Sequence, residues 1–260
     1  MNAHAVALLP VRILRPLQPM TWLERAWHDI REVPAVSFAH GLVMTLFGLV
    51  VALVAKDRFW LLAGALSGFL LVAPILATGL YAVSRALERH EPAGWSTVIA
   101  IWRSLDRRLV TFGLLLAAAG TCWVGTSAAL ITLMAPVPVN TPVDFMRHVV
   151  VHPDSWLFEI WLALGGLLAA PVFASSVTAI PMLVDRQVSV GDAVLASWRT
   201  VLENPVPMGV WAVLVMGFTL LGLGSMMLGL IFVMPMLGHA SWHAYRDLLP
   251  AEAGTDRVAS

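Results

Sequence analysis

Histidines are the residues of this chain whose type and spacing point most directly to chemistry. His239 and His243 lie four residues apart, so on a helix they share one face, as metal or haem ligands on one helix do. His40 lies about one turn into another apolar stretch at a similar depth, so we expect the three imidazoles to converge. Ionisable groups within a membrane are functional candidates by default. The pattern predicts either a cofactor site for haem or copper at these residues or histidines that hydrogen-bond to neighbouring helices.

A second pattern lies in a polar loop, where Asp144, His148 and His152 follow one another at four-residue steps. Thr141, which is followed by proline, predicts the start of a short helix that runs to about residue 151. Carboxylate and imidazole ligands on one side of that helix predict a divalent metal site. Arg147 beside them repels a cation, so a solvated polar face is the alternative interpretation.

Sequence signals for an enzyme are absent. There is no glycine-rich phosphate loop, no GxSxG elbow and no HExxH. Ser241 is only two residues from each histidine of its helix, so it is expected to point away from them. The single cysteine, Cys122, excludes an intrachain disulfide and a thiolate metal cluster. We therefore predict that the protein is not an enzyme.

The composition determines the class of protein. Of the 260 residues, 59% are hydrophobic and 12% are charged, and the mean hydropathy is +0.81, which excludes an ordinary soluble domain. Sixteen basic residues balance sixteen acidic ones, so no surplus of charge indicates a nucleic-acid partner. The expected partner is the lipid bilayer.

Apolar stretches long enough to cross a bilayer recur along the chain. A crossing helix needs about 20 mostly apolar residues. Single spans are predicted at 36–55, 59–83, 109–134 and 156–184, and two more within 206–245 with a turn at 222–225. The predicted fold is therefore all-α, a polytopic membrane bundle of six transmembrane helices.

The positions of the basic residues predict the orientation. Thirteen of the sixteen lie before, between or after the predicted hairpins, and three lie in the loops 56–58 and 135–155. Because loops rich in arginine and lysine stay in the cytoplasm, both termini are predicted to be cytoplasmic. The loops at 56–58, 135–155 and 222–225 are predicted to lie outside.

An internal repeat organises the spans into three hairpins. Pro74 precedes Arg85 by eleven residues, as Pro235 precedes Arg246, so the second and sixth spans end alike. The predicted organisation is a cytoplasmic arm with an interfacial helix (1–35), hairpin 1 (36–83), an interfacial helix (84–108), hairpin 2 (109–184) with the external loop 135–155, an interfacial helix (185–205), hairpin 3 (206–245) and a tail (246–260).

Each hairpin is thus preceded by an amphipathic helix at the interface, and Trp102 and Trp198 occupy matching positions in two of these helices. In the first helix Thr21 and Glu24 predict a capping box, and Asp29 is assigned to the polar face.

Five stretches resemble a family of uncharacterised bacterial integral membrane proteins, a domain of unknown function. They are GHASWHAYRDL at 238–248, PILATGLYAVSRALERHE at 74–91, WRTVLENPVPM at 198–208, residues 22–34 and residues 185–186. The resemblance implies a six-span protein of the bacterial inner membrane with no established activity. Some members carry a provisional label as cytochrome c oxidase subunit I. The histidines present within the spans are too few for a haem–copper core, so this chain is not expected to be that catalytic subunit.

The expected function is that of a structural or accessory component of the membrane, with no cofactor. One alternative is an accessory or assembly protein of a respiratory oxidase that handles haem or copper. Another is an uncoupled transporter or channel for a small neutral solute. A respiratory complex and self-association are the protein partners that these interpretations allow.

Overall fold

A computed structural model describes residues 10–54, 75–151 and 156–250, and within these ranges the chain forms helices and no strand. The helices of the first half are α1 (Gln18–Glu32), α2 (Pro34–Val54), α3 (Thr78–Glu88), α4 (Trp95–Arg103), α5 (Arg107–Met134) and α6 (Pro142–Phe145), which continues as a π-helical turn, Met146–Val150. Those of the second half are α7 (Leu157–Ser176), α8 (Ala179–Asp185), α9 (Val190–Glu203), α10 (Pro205–Gly224) and α11 (Leu230–Leu248).

Four helical segments among the described residues are long and apolar enough to cross a membrane. They are Pro34–Leu53, Arg107–Met134, Leu157–Asp185 and Pro205–Gly224. They correspond to the first, third, fourth and fifth predicted spans. Most of the predicted second span lies outside the described residues, and α11, which carries His239, His243 and charged residues at its end, is not one of the four. The all-helical membrane class is confirmed, whereas the count of six spans stays a prediction.

Short amphipathic helices precede three of these apolar segments. Ser189 caps the start of α9, because its hydroxyl accepts a hydrogen bond from the Asp192 amide at 3.1 Å. The capping box predicted for α1 is wrong, because the helix already begins at Gln18. There the Thr21 hydroxyl donates to the Gln18 carbonyl at 2.8 Å, so it does not cap the helix.

The chain reverses between α10 and α11 at residues 225–229, slightly later than the predicted turn at 222–225. Met226 and Met227 adopt left-handed backbone angles there, with φ of 53° and 68°. Such a conformation costs a non-glycine residue about 1 kcal/mol or more. The Met227 carbonyl accepts a hydrogen bond from the Thr45 hydroxyl at 3.1 Å, which fixes this turn against α2.

α2 and α11 pack antiparallel along much of their length. Gly41 faces the backbone of Ile231, and further along the pair Ser37 contacts His239. The largest fully buried side chains, Trp22, Trp211, Trp242 and Tyr245, lie where α1, α10 and α11 meet. The rings of Trp22 and Trp211 pack edge to face with centroids 5.5 Å apart. The core is therefore concentrated at the end of the bundle to which α1 is attached.

Candidate functional site

Polar side chains meet in the interior where α1, α2, α3 and α11 come together. We call this group the polar cluster, and all of its members are buried: Asp29, Ser37, Ser84, His239 and His243. Buried polar groups are costly unless they are hydrogen-bonded, so their pairing decides whether the cluster stabilises the fold.

A continuous chain of hydrogen bonds runs through the polar cluster. The Ser37 hydroxyl lies 3.0 Å from Nε2 of His239, and Nδ1 of the same ring lies 2.7 Å from the Ser84 hydroxyl. The Ser84 hydroxyl donates to Oδ2 of Asp29 at 2.6 Å. Since these residues come from different helices, the chain joins α2, α11, α3 and α1 in sequence.

The Asp29 carboxylate is the centre of the cluster. Oδ2 also accepts a hydrogen bond from Nε2 of His243 at 2.9 Å. Burial raises the pKa of Asp29, but the hydrogen bonds from His243 and Ser84 outweigh it, so the pKa lies below its ordinary value. The assignment of Asp29 to the polar face of the first interfacial helix is thus wrong, because α1 turns this carboxylate inward against α11.

His40 is buried beside the cluster, but its hydrogen bonding is different. Nδ1 lies 2.8 Å from the Val36 carbonyl, whereas Nε2 has no hydrogen-bond partner among the described residues. The ring packs against Trp102 with centroids 5.6 Å apart. A side chain at Gly79 would place its Cβ 2.7 Å from Nε2 of His40, so the absence of a side chain there permits this approach.

A haem or copper site was predicted at His40, His239 and His243, but several of the ring nitrogens that would bind it are already hydrogen-bonded. Both ring nitrogens of His239 are engaged by serine hydroxyls, and Nε2 of His243 is engaged by Asp29. Within the described ranges no group of three or more His, Cys, Asp or Glu residues is arranged to hold a metal ion. Ligation by these histidines stays a prediction. At His239 it would require a hydrogen bond to Ser37 or Ser84 to break, whereas Nε2 of His40 has no hydrogen-bond partner among the described residues.

The predicted metal ligands of the polar loop, Asp144, His148 and His152, lie only in part among the described residues. Thr141 caps a short helix as predicted, because its hydroxyl accepts a hydrogen bond from the amide of Asp144 at 3.1 Å. In return, Oδ2 of Asp144 accepts hydrogen bonds from the amides of Asn140 at 3.1 Å and Thr141 at 2.9 Å. His148 lies in the π-helical turn, and His152 lies outside the described residues. A metal site at Asp144, His148 and His152 stays a prediction.

A second carboxylate fastens the start of α1 to the end of α11. Oδ2 of Asp247 accepts hydrogen bonds from Arg25 at 2.6 Å, from Trp22 at 2.8 Å and from Gln18 at 2.9 Å. Burial raises the pKa of Asp247, but these three donors outweigh it, so its pKa also lies below the ordinary value. α1 is therefore bound to α11 at both of its ends.

Arginine side chains form further hydrogen bonds at the same end of the bundle. Asp185 accepts hydrogen bonds from Arg89 at 2.9 Å and from the Tyr245 hydroxyl at 2.8 Å. Arg186 donates to the Tyr245 hydroxyl at 2.8 Å and to the Leu249 carbonyl at 2.8 Å. The bond to Leu249 satisfies a carbonyl that the end of α11 leaves unpaired.

An apolar groove lies between α7, α10 and α11 and is separate from the polar cluster. Its volume is about 750 Å³. The lining is dominated by apolar and small side chains, among them Ala169, Phe173, Gly209 and Met234, with few polar groups. A groove of this kind contacts lipid chains or other apolar groups rather than ions.

Acidification is expected to destabilise the protein through Asp29 and Asp247. Because both pKa values are lowered in the folded state, their contribution is fully present above the pKa of an unfolded carboxyl, about 4, and is lost as the pH falls through the lowered values. The unfolding temperature in detergent should be flat from about pH 7 to 5 and fall below about pH 4. Asp247→Asn should reduce that fall, and an equally steep fall in this variant would contradict the assignment to Asp247.

Sequence reasoning found the histidines of the cluster but missed Asp29, Ser37 and Ser84. One signal was available for Asp29. Trp22, Ala26 and Asp29 are spaced by four and three residues, so the carboxylate continues the buried stripe of α1. Ser37 lies three residues before His40 and thus on the same side of α2.

Comparison with known proteins agrees with the membrane class of the fold. No curated protein and no solved structure matches the chain. A family model described as "Predicted integral membrane protein (DUF2189)" matches residues 61–185, a range that includes α3, α4, α5 and α7. The chain is an integral membrane protein, and its residues 61–185 are similar to this family.

Proposed function

We propose that the protein is a structural or accessory component of a bacterial inner membrane, and not an enzyme. In this proposal six spans form three hairpins, each preceded by an interfacial helix, and both termini lie in the cytoplasm. The apolar helices and the bias of arginine towards one set of connecting segments support this arrangement. The matching proline and arginine positions at the ends of the second and sixth spans also support it.

One observation carries the proposal, namely that the hydrogen bonds of the polar cluster are directed at one another. Ser37, Ser84, His239 and His243 all contact each other or Asp29, and they bind four helices together. A catalytic or transport site normally directs such groups towards a cavity. The apolar groove, in contrast, is lined by none of the residues of the cluster. The arrangement favours a rigid scaffold over a reaction centre.

The experiment that tests this role is purification from native membranes in a mild detergent, followed by identification of bound proteins. We expect the tagged protein to retain other membrane proteins in a fixed ratio. A tagged membrane protein of similar size, expressed at the same level, is the control for non-specific capture. Isolation of the chain alone, together with solute flux into proteoliposomes, would contradict an accessory role and favour the transporter alternative.

The cofactor alternative has its own test. Because His239 and His243 are engaged by Ser37, Ser84 and Asp29, the purified protein is expected to be colourless and free of stoichiometric copper. The measurements are an absorption spectrum and elemental analysis of protein purified from native membranes. A Soret band or bound copper that disappears in His239→Ala and His243→Ala would instead establish the ligand site.

A further inference from the structure

The apolar groove between α7, α10 and α11 is open along one side of the bundle. Tyr81 and Met208 in its lining are buried, whereas Leu202, Met216 and Leu220 at its rim are each more than half exposed. Both α7 and α10 belong to segments that are long and apolar enough to cross a membrane, so the rim faces the hydrocarbon of the bilayer. Lipids are the molecules that reach the groove from that side.

The dimensions of the groove match those of a lipid chain. On α10 its lining extends from Pro205 to Leu220, and these 15 positions of helix are about 22 Å long. Half of the hydrocarbon core of a bilayer is about 15 Å thick, so one acyl chain can lie along the groove through the depth of a leaflet. The volume of about 750 Å³ is typical of cavities that hold one organic ligand.

Small residues leave room on both walls of the groove. Ala169 and Ala170 of α7 contribute to the lining, as do Gly209 and Ala212 of α10. A Cβ added at Gly209 would meet no atom of the described residues within 4 Å. The space beside α10 can therefore hold part of a ligand.

One end of the groove lies beside the segment that precedes α1. Asn204 adjoins Pro205, which begins α10 and lines the groove. Oδ1 of Asn204 accepts a hydrogen bond from the Leu14 amide at 2.8 Å, and its Nδ2 donates to the Arg12 carbonyl at 3.1 Å. The Arg12 amide donates to the Leu248 carbonyl at 3.0 Å. The segment is thus held at the ends of α10 and α11, the helices that form two walls of the groove.

This segment combines exposed cations with exposed apolar side chains. Arg12 and Arg15 are exposed, and neither forms an ion pair within the part of the chain that the structure describes. Ile13 and Leu17 beside them are 69% and 67% exposed. Basic residues next to apolar ones attract the anionic headgroups of a membrane surface. The positive charge at this end of the groove therefore complements a lipid phosphate.

We propose that the groove binds one anionic phospholipid, with an acyl chain along α10 and the headgroup phosphate at Arg12 and Arg15. The chain covers the apolar lining, and the two guanidinium groups neutralise the phosphate. The bound lipid joins the segment before α1 to α10. This selection of a lipid goes beyond the scaffold role and does not depend on it.

Native mass spectrometry of the full chain in a mild detergent, with equal amounts of phosphatidylglycerol and phosphatidylcholine added, tests occupation of the groove. We expect the wild type to retain one phosphatidylglycerol and about tenfold less phosphatidylcholine. Gly209→Phe should lose most of the retained phosphatidylglycerol, because its ring fills the space beside α10. Equal retention of the two lipids by the wild type would show non-selective contact with lipid only and would overturn the proposal.

Gly217→Phe is the matched control for the blocked groove. A Cβ at Gly217 also meets no described atom within 4 Å, but this residue of α10 is not part of the groove lining. The control should retain phosphatidylglycerol as the wild type does. If Gly209→Phe and Gly217→Phe retain it equally, the groove is not the binding site.

A variant that combines Arg12→Gln with Arg15→Gln tests the headgroup site. Retention of phosphatidylglycerol should fall about tenfold, whereas that of phosphatidylcholine should stay the same. The control combines Arg103→Gln with Arg107→Gln, which removes two exposed arginines from α4 and α5, helices that contribute no described residue to the groove. Unchanged retention of phosphatidylglycerol in the Arg12 and Arg15 variant would overturn the headgroup site.

Photocrosslinking of the wild type keeps the test independent of whether the variants fold. The probe is phosphatidylglycerol with a diazirine in its acyl chain, in vesicles of phosphatidylcholine that contain the full chain. We expect Met216 and Met234 of the groove to be labelled several-fold more than Leu114, which is 66% exposed on α5. Excess unlabelled phosphatidylglycerol should reduce only the labelling in the groove. Equal labelling of the groove and of α5 would contradict a specific site.

Discussion

Replacing Gly41 with alanine is expected to separate α2 from α11 and to lower the free energy of unfolding by about 3 kcal/mol. An added Cβ would lie 2.6 Å from Cα of Ile231 and closer still to the carbonyl oxygen of that residue. The obstacle is backbone rather than the end of a flexible side chain, so only a movement of one helix relieves it. That movement would also pull Ser37 away from His239, which lies further along the same pair of helices.

The measurement is unfolding of the purified variant in mixed micelles of SDS and a mild detergent. Gly217→Ala is the control, because a Cβ at this position of α10 meets nothing within 4 Å. In a helix interior alanine is favoured over glycine by about 1 kcal/mol, so the control should be neutral or slightly stabilised. Equal stability of the two variants would show that α2 and α11 do not approach as closely as described.

Replacing Asp29 with alanine is expected to cost about 3 kcal/mol and to loosen α1 from the bundle. The variant leaves the Ser84 hydroxyl and Nε2 of His243 without their shared acceptor in a buried site. Hydrogen bonds to a charged group contribute about 1.5–3 kcal/mol each, and an unpaired buried donor adds the cost of its own desolvation. Proteolysis of the N-terminal arm should become faster, since the C-terminal part of α1 would lose its hydrogen bonds to the bundle and only the N-terminal part would keep those to Asp247.

Glu32→Gln is the matched control, because Glu32 lies one turn from Asp29 on α1 and is exposed. We expect its stability to stay within about 0.5 kcal/mol of the wild type. Asp29→Asn keeps an acceptor for Ser84 but presents an amide donor near His243, so its loss should lie between those of the other two variants. A harmless Asp29→Ala would contradict the inward orientation of this carboxylate.

Much of the helical architecture follows from length and apolar composition. A stretch of about 20 apolar residues has few structural alternatives, so the spans at 36–55, 109–134 and 156–184 appear within a few residues of their predicted ends. Helix ends are less predictable, because contacts with distant residues help to determine them. Gln18, where α1 begins, donates a hydrogen bond to Asp247, and the turn at Met226 and Met227 accepts one from Thr45.

The polar cluster is predictable only in part, for a physical reason. Histidines are rare in apolar stretches, so the sequence alone indicates His239, His243 and His40 as candidates. Their partners are an aspartate in a helix with many other charged residues and serines in two apolar helices. Residues of these types are common in such helices and therefore do not stand out. Which of them turn inward depends on how α1 and α3 pack against α11, and this packing is a property of the tertiary fold.

The most direct test of the claim that the polar cluster fastens α1 to the bundle is a double-mutant cycle between Asp29 and His243. The free energy of unfolding is measured for Asp29→Ala, for His243→Ala and for the double variant in the same mixed micelles. Because Nε2 of His243 lies 2.9 Å from the Asp29 carboxylate in a buried site, we predict a coupling energy of about 2 kcal/mol. Losses that add to within about 0.5 kcal/mol would contradict the account, because residues that do not interact behave in this way.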